Sequence, residues 1–221
     1  MNTLTTAPVS ALLARLFQQA VAADAPLRAD MARQSPEERA AFMAGARTDY
    51  RAFYGMARSL YLPVSPETGR LLYMLARACG AKAIVEYGTS FGLSTIHLAA
   101  ALRDNGGGRL VGSEFEPTKV AQARQHLAEA GLADLVDVRE GDAKDTLARD
   151  LPAAVDLVLL DGAKVLYPEL LALLEPRLRA GALVVADNAD DSPEYLEIVR
   201  GSGRYVSVPF ADDVELSMRV G

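Results

Sequence analysis

Ile84-Val85-Glu86-Tyr87-Gly88-Thr89-Ser90-Phe91-Gly92-Leu93-Ser94 is the stretch around which this chain is organised. An apolar run from Ala83 to Val85 breaks into a Gly-Thr-Ser-Phe-Gly turn. Thr95-Ile96-His97-Leu98-Ala99-Ala100-Ala101-Leu102 follows at once with helical spacing. The order is strand, glycine turn, helix. At such a junction the loop amides and the helix N-terminus converge on one point, and glycine lets a ligand come close to the backbone.

Moving outward from this turn, the C-terminal side alternates. Ala83 to Tyr87, Leu110 to Glu114, Leu135 to Arg139, Val155 to Asp161 and Leu183 to Asp187 read as strands, with helical segments such as Thr118 to Ala130 and Pro168 to Leu174 between them. Strands alternating with helices predict a parallel sheet covered on both faces. Tyr205 to Val208 and Val214 to Arg219 are separated only by Pro209 to Asp213, too short for a crossover, so the sheet should end in an antiparallel hairpin. The N-terminal side carries no strand. Val9, Leu12, Leu13, Leu16, Phe17 and Val21 recur at helical spacing, and the resulting amphipathic helix should cover the domain body or a partner subunit. Ser35-Pro36-Glu37-Glu38 opens a second helix, expected to run to about Ser59, and Ser65-Pro66-Glu67 opens a third that stops at Gly80. The expectation is an α/β fold with a Rossmann-like, doubly wound mixed sheet, mostly parallel, and a helical N-terminal extension. Residues 1–221 should form a single domain, with 1–60 as the extension and 61–221 as the core.

Composition narrows the function. The 221 residues carry 29 acidic against 23 basic side chains, a net charge of −6, and no basic run long enough to track a phosphate backbone, which argues against a nucleic-acid partner. One cysteine, Cys79, cannot form an internal disulfide, and no Cys/His cluster suggests zinc. No segment reaches the ~20 apolar residues of a membrane span, and no leader-like start is visible, so a cytoplasmic protein is expected. His97 and His126 fall within helices and read as structural.

In a doubly wound sheet the ligand sits beyond the carboxyl ends of the strands. Glu86, Ser90, Glu114, Asp142, Asp161, Asp187 and Asn188 all fall there. Glu114 ends the strand after the glycine turn, where an acid can accept both hydroxyls of a ribose. Glu86 lies inside an apolar strand and needs donors from a ligand or from nearby amides.

These motifs resemble the class I S-adenosylmethionine-dependent O-methyltransferases, in particular the metal-dependent branch that includes catechol and caffeoyl-CoA O-methyltransferases. The resemblance runs from about Leu62 to the C-terminus. It is carried by Glu86-Tyr-Gly88-Thr-Ser-Phe-Gly92-Leu-Ser94, Glu114-Phe-Glu-Pro117, Gly141-Asp142-Ala143, Leu160-Asp161-Gly-Ala-Lys164 and Ala186-Asp187-Asn188. It implies that S-adenosylmethionine binds with its methionine part among Glu86, Gly88, Thr89 and Ser94, close to Ser90 and Asp161. Its ribose would lie on Glu114 and its adenine at Asp142 and Ala143, with Val64 closing over it.

A sulfonium already carries a good leaving group, so an enzyme must mainly align the acceptor oxygen and remove a proton. Asp161, Asp187 and Asn188 are oxygen donors at two strand ends and suit a hard divalent cation such as Mg²⁺, which can take both oxygens of a catechol-like acceptor. Lys164, three residues beyond Asp161, is the candidate base, since a desolvated lysine beside a cation can lose its proton more readily, although the surrounding carboxylates oppose that shift. Gly162 and Ala163 are small where the catechol branch has larger side chains, and the loop Pro209 to Asp213 is short. The acceptor is expected to be a small hydroxylated, aromatic molecule, and the apolar N-terminal stripe suggests a homodimer. Two other readings stay open: a metal-independent methyltransferase or S-adenosylmethionine-binding protein, and a nicotinamide-dependent oxidoreductase, although Gly88 and Gly92 do not make a Gly-x-Gly-x-x-Gly turn.

Overall fold

The computed structural model describes residues 2–35, 37–38, 41, 45, 47–211 and 213–221. Seven strands form one mixed sheet in the order β3-β2-β1-β4-β5-β7-β6. They are β1 (Ala83–Tyr87), β2 (Arg109–Glu114), β3 (Val136–Glu140), β4 (Val155–Leu160), β5 (Leu178–Ala186), β6 (Tyr205–Phe210) and β7 (Val214–Arg219). β1 to β5 run parallel, whereas β7 is antiparallel to both β5 and β6. The chain order reverses between β1 and β4, so the sheet has its switch point beside the glycine turn. β5 begins earlier than the alternation predicted, at Leu178. The register with β4 shifts between Val155 and Leu157, and Gly181 in β5 has φ +77°, so the strand's first half breaks the period-2 pattern that sequence reading relies on.

Helices cover both faces. On one side lie α1 (Val9–Arg33), α3 (Pro66–Ala78), α4 (Leu93–Asp104) and α5 (Pro117–Glu129), with Leu12, Leu16, Leu72, Ile96 and Leu127 in one continuous apolar cluster. On the other lie α6 (Ala143–Thr146), α7 (Tyr167–Leu174) and α8 (Pro193–Gly201), packed through Leu147, Tyr167, Leu170 and Tyr195. α4 is buried from Leu93 through Leu102 without a polar face, because α1 and α3 close its outer side. The apolar stripe of α1 is therefore buried within the subunit from Val9 to Leu16, whereas Phe17 is half-buried and Val21 is exposed. Its N-terminal lead is fastened to the end of α4, where Thr3 and Tyr73 donate to Asp104.

Two helical expectations are corrected. α1 continues past Val21 to Arg33, through Pro26 and beyond the amphipathic stripe, because its second half has a different partner: buried Asp24 accepts from the amides of Tyr61 and Leu62 at 2.8 and 2.9 Å. The helix predicted from Ser35 to Ser59 is not continuous. Ser35 and Glu38 do exchange the two hydrogen bonds of a capping box, at 2.8 and 3.2 Å, while Pro36 lies outside the described residues. A separate helix, α2 (Tyr50–Met56), then starts at Asp49, whose side chain accepts from Ala52 N. Asp49 is a strong cap, and capping within a polar stretch divides what periodicity alone joins. No helix among the described residues is long and apolar enough to cross a membrane.

His97 illustrates the tight packing of this layer. It is 3% exposed, its Nδ1 lies 2.8 Å from Leu93 O, and a side chain at Gly69 would meet its ring at 2.7 Å. Burial holds its pKa down, to about 4 from 6.5. Because the folded form binds the proton less readily than the unfolded chain, the stability this confers is complete above pH 6.5 and is lost as pH falls towards 4. Thermal melts across that window should show a loss of up to roughly 3 kcal/mol from this group, and His97→Gln should flatten that part of the curve.

Candidate functional site

The parallel strands deliver their polar C-terminal residues to one end of the sheet, around a cavity of about 610 Å³. Gly88, Ser90, Glu114, Asp142, Ala143, Asp161, Lys164 and Asn188 line it. Gly88 is required by geometry: its φ is +95°, and a Cβ there would lie 2.1 Å from Asp161 O, because the ends of β1 and β4 abut. Ser90, at φ +46°, donates its amide to Glu114 Oε2 at 2.8 Å and its hydroxyl to Tyr61 O at 3.0 Å. Glu114 also accepts from Glu116 N, so its carboxylate is held by two backbone amides at the cavity wall.

Glu86, Thr89 and Ser94 form a buried group behind this wall rather than part of the cavity lining. Glu86 is fully buried and accepts from Thr95 Oγ1 (2.5 Å), Ser94 Oγ (2.8 Å) and Thr89 Oγ1 (3.0 Å). Its donors are the chain's own hydroxyls, not the ligand or amides the sequence suggested. Burial raises its pKa, and the three hydroxyls oppose that rise. Val64 is likewise buried and does not line the cavity.

The other half of the cavity is built on the ends of β4 and β5. Tyr167 donates through one hydroxyl to both Leu160 O and Asp187 O, each at 2.8 Å, and so fixes these strand ends together. Lys164 Nζ lies 3.1 Å from Asp161 Oδ1 and 5.3 Å from the centre of the Tyr167 ring, with both members of the ion pair nearly buried. Asp187 is pushed up to about 7, by burial first and then by the neighbouring Asp161 carboxylate. Burial also raises Asp161. For Lys164, burial favours loss of the proton, but Asp161, Tyr54 and Asp187 outweigh it and leave the amine above its ordinary value. The depression considered from sequence is thus reversed by the carboxylates gathered round it. Asn188, at φ +47°, donates Nδ2 to Asp213 Oδ2 at 2.9 Å, which ties the hairpin turn to this corner, while Asp212 is outside the described residues. Among the described residues no group of three or more His, Cys, Asp or Glu is arranged to hold a metal ion; the predicted set comprises two carboxylates and an amide.

Sequence reasoning missed the roof. Leu27 and Met31 of α1 and Tyr50, Arg51, Phe53 and Tyr54 of α2 all line the cavity. Asp142 caps α6 through Lys144 N and also accepts from Tyr50 Oη at 2.5 Å and Arg51 Nε at 3.1 Å. The available signal was the Tyr50, Phe53, Tyr54 spacing of i, i+3, i+4 in a polar segment, an aromatic face that needs a partner. Lys119 was also missed: it is 7% exposed, sits 5.3 Å over the Phe91 ring, and burial lowers its pKa against the pull of Glu114 and Glu116. The smallness of Gly162 has a local cause, since a Cβ there would lie 2.3 Å from the ring of Tyr87, whose hydroxyl accepts from Ala163 N. His126 Nδ1 lies 2.9 Å from Phe91 O, and neither histidine reaches the cavity.

A cavity of this build, with a carboxylate held on loop amides beside the switch point of a doubly wound sheet, defines a nucleotide-type cofactor site. Comparison with known proteins agrees. A family model described as a methyltransferase domain matches residues 85–189. A catechol O-methyltransferase from Niastella koreensis is 38% identical over 130 residues, 58% of each chain. One from Mycobacterium tuberculosis is 35% identical over 153 residues, 69% of this chain and 64% of that protein, so the match spans less than two thirds of these relatives. The solved structure of the O-methyltransferase TomG from Streptomyces achromogenes, in complex with S-adenosylmethionine, is 30% identical. It superposes with a TM-score of 0.64 over 81% of this chain and 90% of its own. The chain belongs to the class I S-adenosylmethionine-dependent O-methyltransferases.

Proposed function

We propose that this protein transfers a methyl group from S-adenosylmethionine to a hydroxyl of a small, catechol-like aromatic acceptor, with a divalent cation such as Mg²⁺ held by Asp161, Asp187 and Asn188. The observation that carries this reading is the buried Lys164–Asp161 pair beside Asp187, in the same cavity as the Ser90–Glu114 wall. In this reading Glu114 takes the ribose hydroxyls, Asp142 and Ala143 flank the adenine, and Gly88 with Ser90 faces the methionine part. Glu86, Thr89, Ser94 and Val64 support that surface from behind.

The donor set fits a hard cation. All three side chains offer oxygen, and Asp187, pushed up to about 7 by burial first and then by the Asp161 carboxylate, is in surroundings whose negative charge a cation would offset. When bound, the sulfonium would supply an electrophilic methyl and the cation would lower the pKa of the acceptor hydroxyl. The chain's own residues do the rest. Lys164, once deprotonated, takes the hydroxyl proton; Asp161 orients the amine; the roof from α2 excludes water. Homodimerisation and a cytoplasmic location belong to the same reading, with the lone cysteine suited to a reducing compartment. Because Val9, Leu12, Leu13 and Leu16 of the α1 stripe are already buried, they are not free for pairing.

Labelled S-adenosylmethionine incubated with a panel of catechols and simple phenols, with and without Mg²⁺, tests the reading. Label should appear in catechol products and fall to background in EDTA. Transfer untouched by EDTA and by Asp187→Ala would retire the cation and leave a metal-independent methyltransferase, whereas no transfer to any hydroxylated aromatic would remove the acceptor class.

A further inference from the structure

α2 lines the cavity and is tied down at its N-terminal end by polar contacts. Tyr50 and Arg51 hold Asp142 at the end assigned to adenine. On the far side Arg47 donates to Asp191 O at 3.1 Å and to both carboxylate oxygens of Glu194. No residue of α2 is fully buried, and beside these contacts only Tyr50 packs against the core of the domain, partly buried. One turn beyond these ties, Tyr54 lines the cavity and lies in the field of Lys164, Asp161 and Asp191, at the end assigned to the reaction. One helical turn separates it from Tyr50, about 5–6 Å, so α2 reaches from the donor half to the acceptor half. The loop that could have supplied an aromatic wall cannot do so, because Gly162 is pressed against Tyr87.

We infer that Tyr54 is an acceptor-contacting, specificity-determining residue: its ring forms the wall for a flat hydroxylated aromatic, and its hydroxyl faces the oxygen-bearing edge of that ring. This deepens the reading of the preceding section and rests on it. The wall favours planar acceptors over aliphatic alcohols of similar size, because an aromatic pair gains contact that an aliphatic chain does not.

The test uses 4-nitrocatechol as both substrate and absorbing probe. Tyr54→Ala should raise its KM about tenfold or more and change the ratio of the two monomethyl products, while the Kd for S-adenosylmethionine by calorimetry stays within about twofold. Tyr54→Phe should restore KM to within about threefold of the parent and keep an altered product ratio. A parallel titration of the probe against protein saturated with S-adenosylhomocysteine and Mg²⁺ reads binding without turnover. Wild-type binding without turnover removes the methyl-transfer reading but still tests Tyr54, through a tenfold weaker Kd in Tyr54→Ala. An unchanged KM and Kd in Tyr54→Ala, an equal loss of S-adenosylmethionine affinity, or no binding of the probe to the wild type each overturns the assignment.

Discussion

Lys164→Ala should lower kcat by roughly two to four orders of magnitude, the range for losing a positioned base, while S-adenosylmethionine binds within about twofold of the parent affinity. The split follows from position: Lys164 pairs with Asp161 at the end of the cavity built on β4 and β5, whereas Ser90 and Glu114 form the wall proposed for the ribose. Lys164→Arg separates charge from proton transfer, because a guanidinium can keep the pair with Asp161 yet cannot give up its proton. It should be nearly as inactive as the alanine variant. The pH dependence has a definite sign. Carboxylates around Lys164 hold its pKa above the ordinary lysine value, so the fraction able to accept a proton grows as pH rises. The wild-type rate should therefore climb with pH on the alkaline side, and the alanine variant should lose that limb. Near-parental turnover in Lys164→Arg would reassign the residue from base to counter-charge.

Gly88→Ala is expected to be the most damaging single methyl in the chain. The residue would sit at φ +95° with its Cβ 2.1 Å from a backbone oxygen of Asp161, and neither strand end can retreat without breaking the β1–β4 ladder. Backbone strain and overpacking together suggest roughly 2–5 kcal/mol, a fall in Tm on the order of 10 °C for a chain of this size, and loss of cofactor binding as Asp161 is displaced. Gly131→Ala is the control. It also has positive φ, +68°, but no atom within 4 Å of its added Cβ, so it carries only the conformational cost of about 1 kcal/mol. Melting curves and calorimetry on the two variants decide the matter: equal losses would mean that the close approach at Gly88 is soft.

The chain's own pattern was sufficient for the sheet. Alternation of apolar runs with helical spacing, the Gly88 turn and the short Pro209 to Asp213 loop specify parallel strands, a crossover and a terminal hairpin, because these depend on period, turn chemistry and loop length, all local quantities. The acidic strand ends were legible for the same reason, since parallel strands must deposit their C-terminal residues on one side. The division of labour among those residues was not. Glu86 is satisfied by three hydroxyls from a loop and the helix after it, Lys164 has its proton held by carboxylates from two strands, and Asp142 is taken by Tyr50 and Arg51, 92 and 91 residues away. Side-chain partners across such separations follow from packing and burial, which no window of sequence contains. Periodicity therefore determined which elements exist and where their polar ends fall; only the folded chain decided which of those ends face a ligand, what charge they carry and that the N-terminal extension roofs the cavity.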